Sequence, residues 1–445
     1  MSTDTVSSDS DDVSSDDPIA GGRDSGPSLV TTEARVSFGG MLEQPDDGAP
    51  PDPQIAVGPS DIVEVVNHRY AVFNKTGKII LGPYSLDKTF IGSGLNDPRV
   101  MFDGSLNRFV FVALTNDSSQ IVLSVSNEST ATNPSWENLL IDVPGGDADY
   151  PLVGANAKGI YWTVRQPDLP GYVVYAMDEE SAERFRAGRP PVTWWHWVNP
   201  RDDANSIART IQPSNTLRPD MAEYALSAHS FRASDLTIWK FTWKKSSKDG
   251  WQPTLSQAYL PVKQYDPPPD PKEPNGTTID WRDTGIASVQ SAQGHLVSSQ
   301  TVNWGPVTDY RSGVRVYDVT LTGGSPTEVR NTDFGSDGLY DYNPAAAMSA
   351  DGRRLVVVYT SNSASPTNHG WAKVRYRARV NGTWEGNSHD VKFSEIFTDY
   401  DPDHNGHPRW GDLAAAAADG GSVWITNEYA ETTDRWGTWI ARVDQ

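Results

Sequence analysis

The feature that most limits what this chain can become is a hairpin that recurs along it. A Pro or Asp opens a short run of small or apolar residues, a tight turn follows, and a strongly apolar strand returns. The pattern reads DPQIAVGPSDIVEVVN from Asp52, DPRVMFDGSLNRFVFVA from Asp97 and DYPLVGANAKGIYWTV from Asp149. A weaker copy, RPDMAEYALSAHSF, starts at Arg218. GIASVQSAQGHLVSSQTV from Gly285, YNPAAAMSADGRRLVVVYT from Tyr342 and GDLAAAAADGGSVWITNEY from Gly411 complete the set of seven. The anchors Pro53, Pro98, Pro151, Pro219, Ile286, Pro344 and Asp412 recur at intervals of roughly sixty residues, room for four strands and their loops. An all-β, seven-bladed propeller is the architecture that such spacing predicts. The small-residue strand of each copy belongs innermost, where blades converge and bulk has no room. The second strand (VEVVN, FVFVA, YWTV, LVVVYT, VWITN) carries the packing between blades.

Too little chain follows Asp412 to supply four strands, so one is expected from elsewhere. TTEARVSF, from Thr31 to Phe38, is placed to complete the last blade and join the two ends of the ring. The domain then runs over 31–445. Ahead of it, residues 1–30 hold seven Asp before residue 25 against one Arg, and cannot bury enough apolar area to offset chain entropy. That segment reads as a disordered acidic tail. It contains no basic stretch followed by an apolar run, so no signal peptide is expected in this chain. Helix is scarce; DEESAERFRAG from Asp178 is the best candidate.

Fifty-eight acidic residues against 37 basic give a net charge of −21, which excludes nucleic acid and membrane insertion as expected partners and suits a soluble protein that attracts cations. With no cysteine there are no disulfides, thiolate metal sites or cysteine nucleophiles.

The segments PPDPQIAVGPSDIVEVVNHRYAVFNKTG, NDPRVMFDGSLNRFVFV, YDYNPAAAMSADGRRLVVVYTSNSAS and PRWGDLAAAAADGGSVWITNEYA resemble a group of bacterial, mostly secreted, propeller-like proteins. That group's RWGD and NEYA segments are matched by Arg409–Asp412 and Asn427–Ala430. The resemblance covers most of 50–445, implies the fold and an extracellular location, and implies little about activity. More distantly the arrangement is similar to glycan-active propellers such as sialidases and furanosidases.

Two constellations could do chemistry. TDYDPDHNGHPRWGD, from Thr398, carries Asp401, Asp403 and Asn405 before Gly406 in the D-x-D-x-N-G spacing of calcium loops, with Asp399 extending the alternation and Asp412 placed to close it. Bound Ca2+ is the expectation from that loop. The second constellation is distributed: Asp52, Asp97, Asp149, Asp220, Asp341 and Asp412 lie at the starts of inner strands, with Arg99, Arg218, Arg282 and Arg409 beside them. Converging carboxylates suit glycoside hydrolysis, with an acid and base drawn from Asp97, Asp149, Asp220, Asp341 and Glu428. The guanidiniums suit an anionic sugar, while Trp410 and Tyr342 could stack on sugar faces. The same acids could equally cap the turns at the strand starts. Three functional classes therefore follow: a glycoside hydrolase or lyase, a non-catalytic module for a carbohydrate or other small polar ligand, and a scaffold presenting loops to a protein partner.

Overall fold

The computed structural model describes residues 32–444, apart from 46, 133–134, 168–170, 203–204, 209, 218–221, 230, 248–249, 281–284, 307, 366–369, 395, 397–407 and 434. Most of the described residues lie in antiparallel strands, in the order of a β-propeller. Consecutive four-strand meanders begin at Gln54, Asn96, Asp149, Gln212, Val289 and Tyr340, and the chain ends in three strands from Ala415 to Asp444. The helix expected after Asp178 is present as Glu179–Arg186, capped by the Asp178 carboxylate, which accepts from the Ser181 amide at 3.1 Å. No helix among the described residues is long and apolar enough to cross a membrane.

The inner strands are short and rich in small residues, as in YDYNPAAAM and AAAAD, because the strands crowd toward one axis. The second strands are mostly buried, and Asp61–Val66, Arg354–Asn362 and Glu223–Ala228 have no exposed residue. The apolar clusters that result sit between neighbouring meanders, not within one. Val110, Val112 and Leu123 of one pack on Trp162, Val164 and Tyr175 of the next. Ile55, Ile62 and Phe73 of the first meander pack on Trp424 and Ile440 of the last strands, which closes the ring.

The ends of the chain meet as the hairpin arithmetic requires. Strand Glu33–Leu42 runs antiparallel to Arg435–Asp444 as the outer strand of the last sheet. Its Met41 amide donates to Glu64 of the first meander at 3.0 Å and to Thr438 of the last at 2.8 Å, so one residue is tied to both sides of the seam.

Two expectations are corrected. Five sheets stand as separate blades, not seven. The meanders starting at Asp149 and Val289 are merged into one nine-stranded sheet through Asn215–Thr216, which pairs in parallel with both. The cause is close backbone approach near the axis: Gly154 lies where a Cβ would come within 2.5 Å of the Ser214 carbonyl oxygen, and Ala155 donates its amide to that oxygen at 3.1 Å. The fourth copy also opens earlier than Pro219. Its inner strand is Gln212–Pro213, paired with Glu223–Ala228, while Pro219 lies outside the described residues.

Gly40 shows how tightly the seam is built, since an added Cβ would meet both Glu64 carboxylate oxygens at 2.6 and 2.7 Å, besides the Thr438 hydroxyl. Gly40→Ala is expected to destabilise the protein by about 1–3 kcal/mol, read as a lower denaturant midpoint with an unchanged slope; an unchanged midpoint would show that the seam is loose.

Candidate functional site at the mouth of the channel

The entries to the inner strands share one local device. Asp52, Asp97, Tyr150 and Asn343 each precede a proline and each adopt a left-handed backbone, with φ between 48° and 52°. That conformation is costly for a residue with a Cβ. At Asp97, Tyr150 and Asn343 the pairing with the second strand slips at the same place, leaving a bulge. The bulges bend the chain at the mouth and gather side chains from several sheets.

The centre of the cluster is the RWGD turn. Arg409 grips Asp412 with both guanidinium nitrogens, at 3.0 and 2.9 Å. The Gly411 amide donates to Glu428 Oε1 at 2.5 Å, and the Asp412 amide donates to Asp52 Oδ1 at 2.6 Å. Two successive amides of the last sheet thus hold carboxylates from opposite sides of the seam. Only glycine fits between them: a Cβ at position 411 would lie 2.7 Å from Glu428 Oε1 and 2.9 Å from Asp52 Oδ1. Asn343 donates its side-chain amide to the Gly411 carbonyl from the neighbouring sheet. The Arg409 backbone bridges in parallel to Asp280, with Trp410 donating to the Asp280 carbonyl at 3.0 Å.

Asp97, Arg99 and Asp149 close the other side. The Arg99 guanidinium sits 5.1 Å over the Tyr150 ring, is almost wholly buried, and leaves its Nε without a hydrogen-bond partner among the described residues. Asp149 pairs with Arg165 at 3.5 Å and remains half-exposed. A cavity of about 10 Å³, water-sized, reaches Glu428 and Arg409 from the seam beside Pro50 and Trp436.

Burial drives the electrostatics of this cluster. It pushes the Glu428 carboxyl well above the usual range, and the charge of Asp52 adds to the effect, against the Gly411 N–H and Arg409. Asp52 is raised to about 7 by burial and by Asp412, with Arg409 and Arg99 opposing. Asp149 is raised by burial and by Asp97. Asp52, raised to about 7, is divided between its two forms near neutrality. The mouth can therefore donate a proton from one carboxyl and accept hydrogen bonds at others.

Of the residues expected to meet here, Asp52, Asp97, Asp149, Glu428, Arg99, Arg409 and Asp412 do so, joined by Tyr150 and Asn343. Asp341 does not. It is fully buried inside its own meander, with Arg375 at 3.9 Å as its ion-pair partner, and burial raises it to about 6. The residue that reaches the mouth from that strand is Asn343, two positions on, beyond the bulge. Tyr342 and Trp410 are not sugar shelves: both are buried against Ile279, and Trp410 donates its indole N–H to Thr360 at 3.2 Å. Asp220, Arg218 and Arg282 lie outside the described residues, as do Asp399, Asp401, Asp403 and Asn405 of the expected calcium loop. Asp412, expected to close that loop, gives both its oxygens to Arg409. Among the described residues no three acidic or imidazole groups are arranged to hold a metal. Tyr150 and Asn343 had a signal in the sequence, the residue before each recurring proline, but an alignment that followed only Asp passed over them.

No protein-family model matches the chain, and no curated protein sequence matches it. Among solved structures it is similar to the α-L-arabinanase of Penicillium chrysogenum complexed with arabinobiose, at 11% identity over 93% of this chain and 99% of that one, with a TM-score of 0.41. The β-propeller domain of the trilobed protease from Pyrococcus furiosus is 10% identical over 75% of this chain and 76% of that one, with a TM-score of 0.35. The Trypanosoma rangeli sialidase is 8% identical over 70% of this chain and 56% of that one, with a TM-score of 0.33. Likenesses this slight say nothing of ligand or chemistry.

The raised carboxyls set the pH dependence of stability. Asp52 and Glu64, both raised to about 7, keep protons in the folded state that the unfolded chain releases at ordinary carboxylate values. Their contribution is present in acid and is lost as the pH rises through about 7. Asp333 acts the other way: burial is outweighed by Arg315 and Lys263, its pKa is lowered, and its contribution disappears in strong acid. Stability is expected to peak below neutrality and to fall between pH 5 and 8. Chemical denaturation across that range checks this, and Asp52→Asn with Glu64→Gln should flatten the fall; a rise toward pH 8 would contradict the assignment.

Proposed function

We propose that the mouth binds a carbohydrate or a comparably hydroxyl-rich ligand. The observation that carries this reading is the convergence of Asp52, Asp97, Asp149, Asp412 and Glu428 with Arg99 and Arg409 at one end of the channel. Carboxylates accept from sugar hydroxyls, and guanidiniums donate to them. In the same reading the nine-stranded sheet counts as two blades, so that seven modules surround the axis. Support comes from its two complete four-strand meanders joined only through Asn215–Thr216.

A second reading, glycoside hydrolysis, is favoured by one specific pairing. Burial raises the Glu428 carboxyl well above its usual range beside Asp52, and carboxyls whose pKa values are pushed apart by their surroundings can divide the roles of acid and base. Glu428 would protonate the leaving oxygen and Asp52 would act as base, with no role for Asp341. Calcium belongs to the proposal through the spacing of Asp399, Asp401, Asp403 and Asn405, with Asp412 left to Arg409.

The test is a glycan array and a polysaccharide-degradation screen on the full chain, with and without a chelator. Asp97→Asn combined with Asp149→Asn is expected to weaken glycan binding about tenfold or more. Glu428→Gln is expected to retain binding and to abolish any release of reducing ends. Binding without release leaves the non-catalytic module; neither binding nor release across broad panels leaves the scaffold. A melting temperature unmoved by chelator removes calcium.

A further inference from the structure

The inner strands end, away from the mouth, in tight turns, and between the last two sheets these turns enclose a cleft of about 380 Å³. Its charged lining is Arg35, Arg353, Arg354 and Arg442 with Asp351 and Asp444. In a chain of net charge −21, a cleft where guanidiniums outnumber carboxylates two to one is against the trend of the surface.

The two acids are already engaged. Asp444 accepts from the Ser422 hydroxyl at 2.5 Å and from Arg442 Nε at 3.0 Å. Asp351 accepts from the Ser349 hydroxyl at 2.6 Å and from the Arg353 amide at 3.1 Å. Arg354 is different. It is only 6% exposed, one terminal nitrogen donates to the Gly421 carbonyl, and its Nε has no hydrogen-bond partner among the described residues. Its Nε is shut away from the cleft, so what Arg354 offers an anion there is the charge of a guanidinium in the cleft wall, held in place by Gly421. Arg353 is exposed on the turn beside it, and Arg442 reaches in from the last strand with its side chain 35% exposed.

We propose that this cleft is a second binding site, remote from the mouth, which takes a tetrahedral oxyanion, a phosphate or sulfate group, on Arg353, Arg354 and Arg442. Guanidiniums brought together from two neighbouring sheets suit oxygens distributed around one centre, and a Lys in place of Arg354 would keep the charge but lose the fork. The oxyanion can arrive free or as an ester on a sugar or polymer, and the cleft is open enough for either.

The experiment is calorimetric titration of the full chain with inorganic phosphate, inorganic sulfate and heparin, with dextran as the uncharged control, at ionic strength held constant by sodium chloride so that general screening is not read as binding. Saturable binding of an inorganic anion is expected, weakened about tenfold or more by Arg353→Gln and by Arg442→Gln. Binding of heparin alone, weakened by the same two substitutions, upholds the site and makes its ligand an ester. A rise in the wild-type melting temperature with phosphate at constant ionic strength reads the same event with no substitution. No saturable heat with any of the three anions, or affinities untouched by both substitutions, overturns the proposal.

Discussion

The structure depends on the pairing of strand Glu33–Leu42 with Arg435–Asp444. Sheets arranged around an axis bury their apolar faces against their neighbours, so every meander needs one on each side. The first and last would each lack one if the ring stayed open. The pairing supplies the missing strand, and Met41 fastens it to Glu64 on one side and Thr438 on the other. The candidate site inherits this dependence directly. Asp52 belongs to the first meander and Gly411, Asp412 and Glu428 to the last stretch of chain, so the acids at the centre of the mouth meet only across the closed seam.

Buried carboxyls are a recurring way of joining parts of this ring. Glu64 accepts from Met41 and from the Thr426 and Thr438 side of the seam, and Glu223 accepts from Ser214 and Thr216. Burial raises both, which favours the neutral form of each while it knits hydroxyls and amides together. Glu428 uses the same physics at the mouth. What distinguishes it is its company: Asp52 across Gly411, and an Arg409–Asp412 ion pair beside it that balances its own charge.

Much of this was legible beforehand. The hairpins, the burial of second strands, the closing strand and the helix Glu179–Arg186 follow from local periodicity and turn chemistry, which are properties of neighbouring residues. The errors lie where long-range geometry intervenes. Asp341 reads as one more acid at a strand start, yet the bulge at Asn343 sends it into the sheet and gives its place at the mouth to an amide. Trp410 and Tyr342 read as exposed stacking surfaces because they neighbour polar residues, yet they fill the core beneath the turn.

The amino-acid sequence by itself determined that the chain would form repeated antiparallel hairpins with small inner strands, and that its early strand from Glu33 would have to complete the last sheet. It did so because side-chain alternation, proline placement and chain length act over a few residues at a time. Only the tertiary structure decided which acids share the mouth, that two meanders merge through Asn215–Thr216, and that burial raises the Glu428 carboxyl. Those outcomes depend on distances between residues hundreds of positions apart and on how deeply each is buried, and neither quantity exists until the ring is closed.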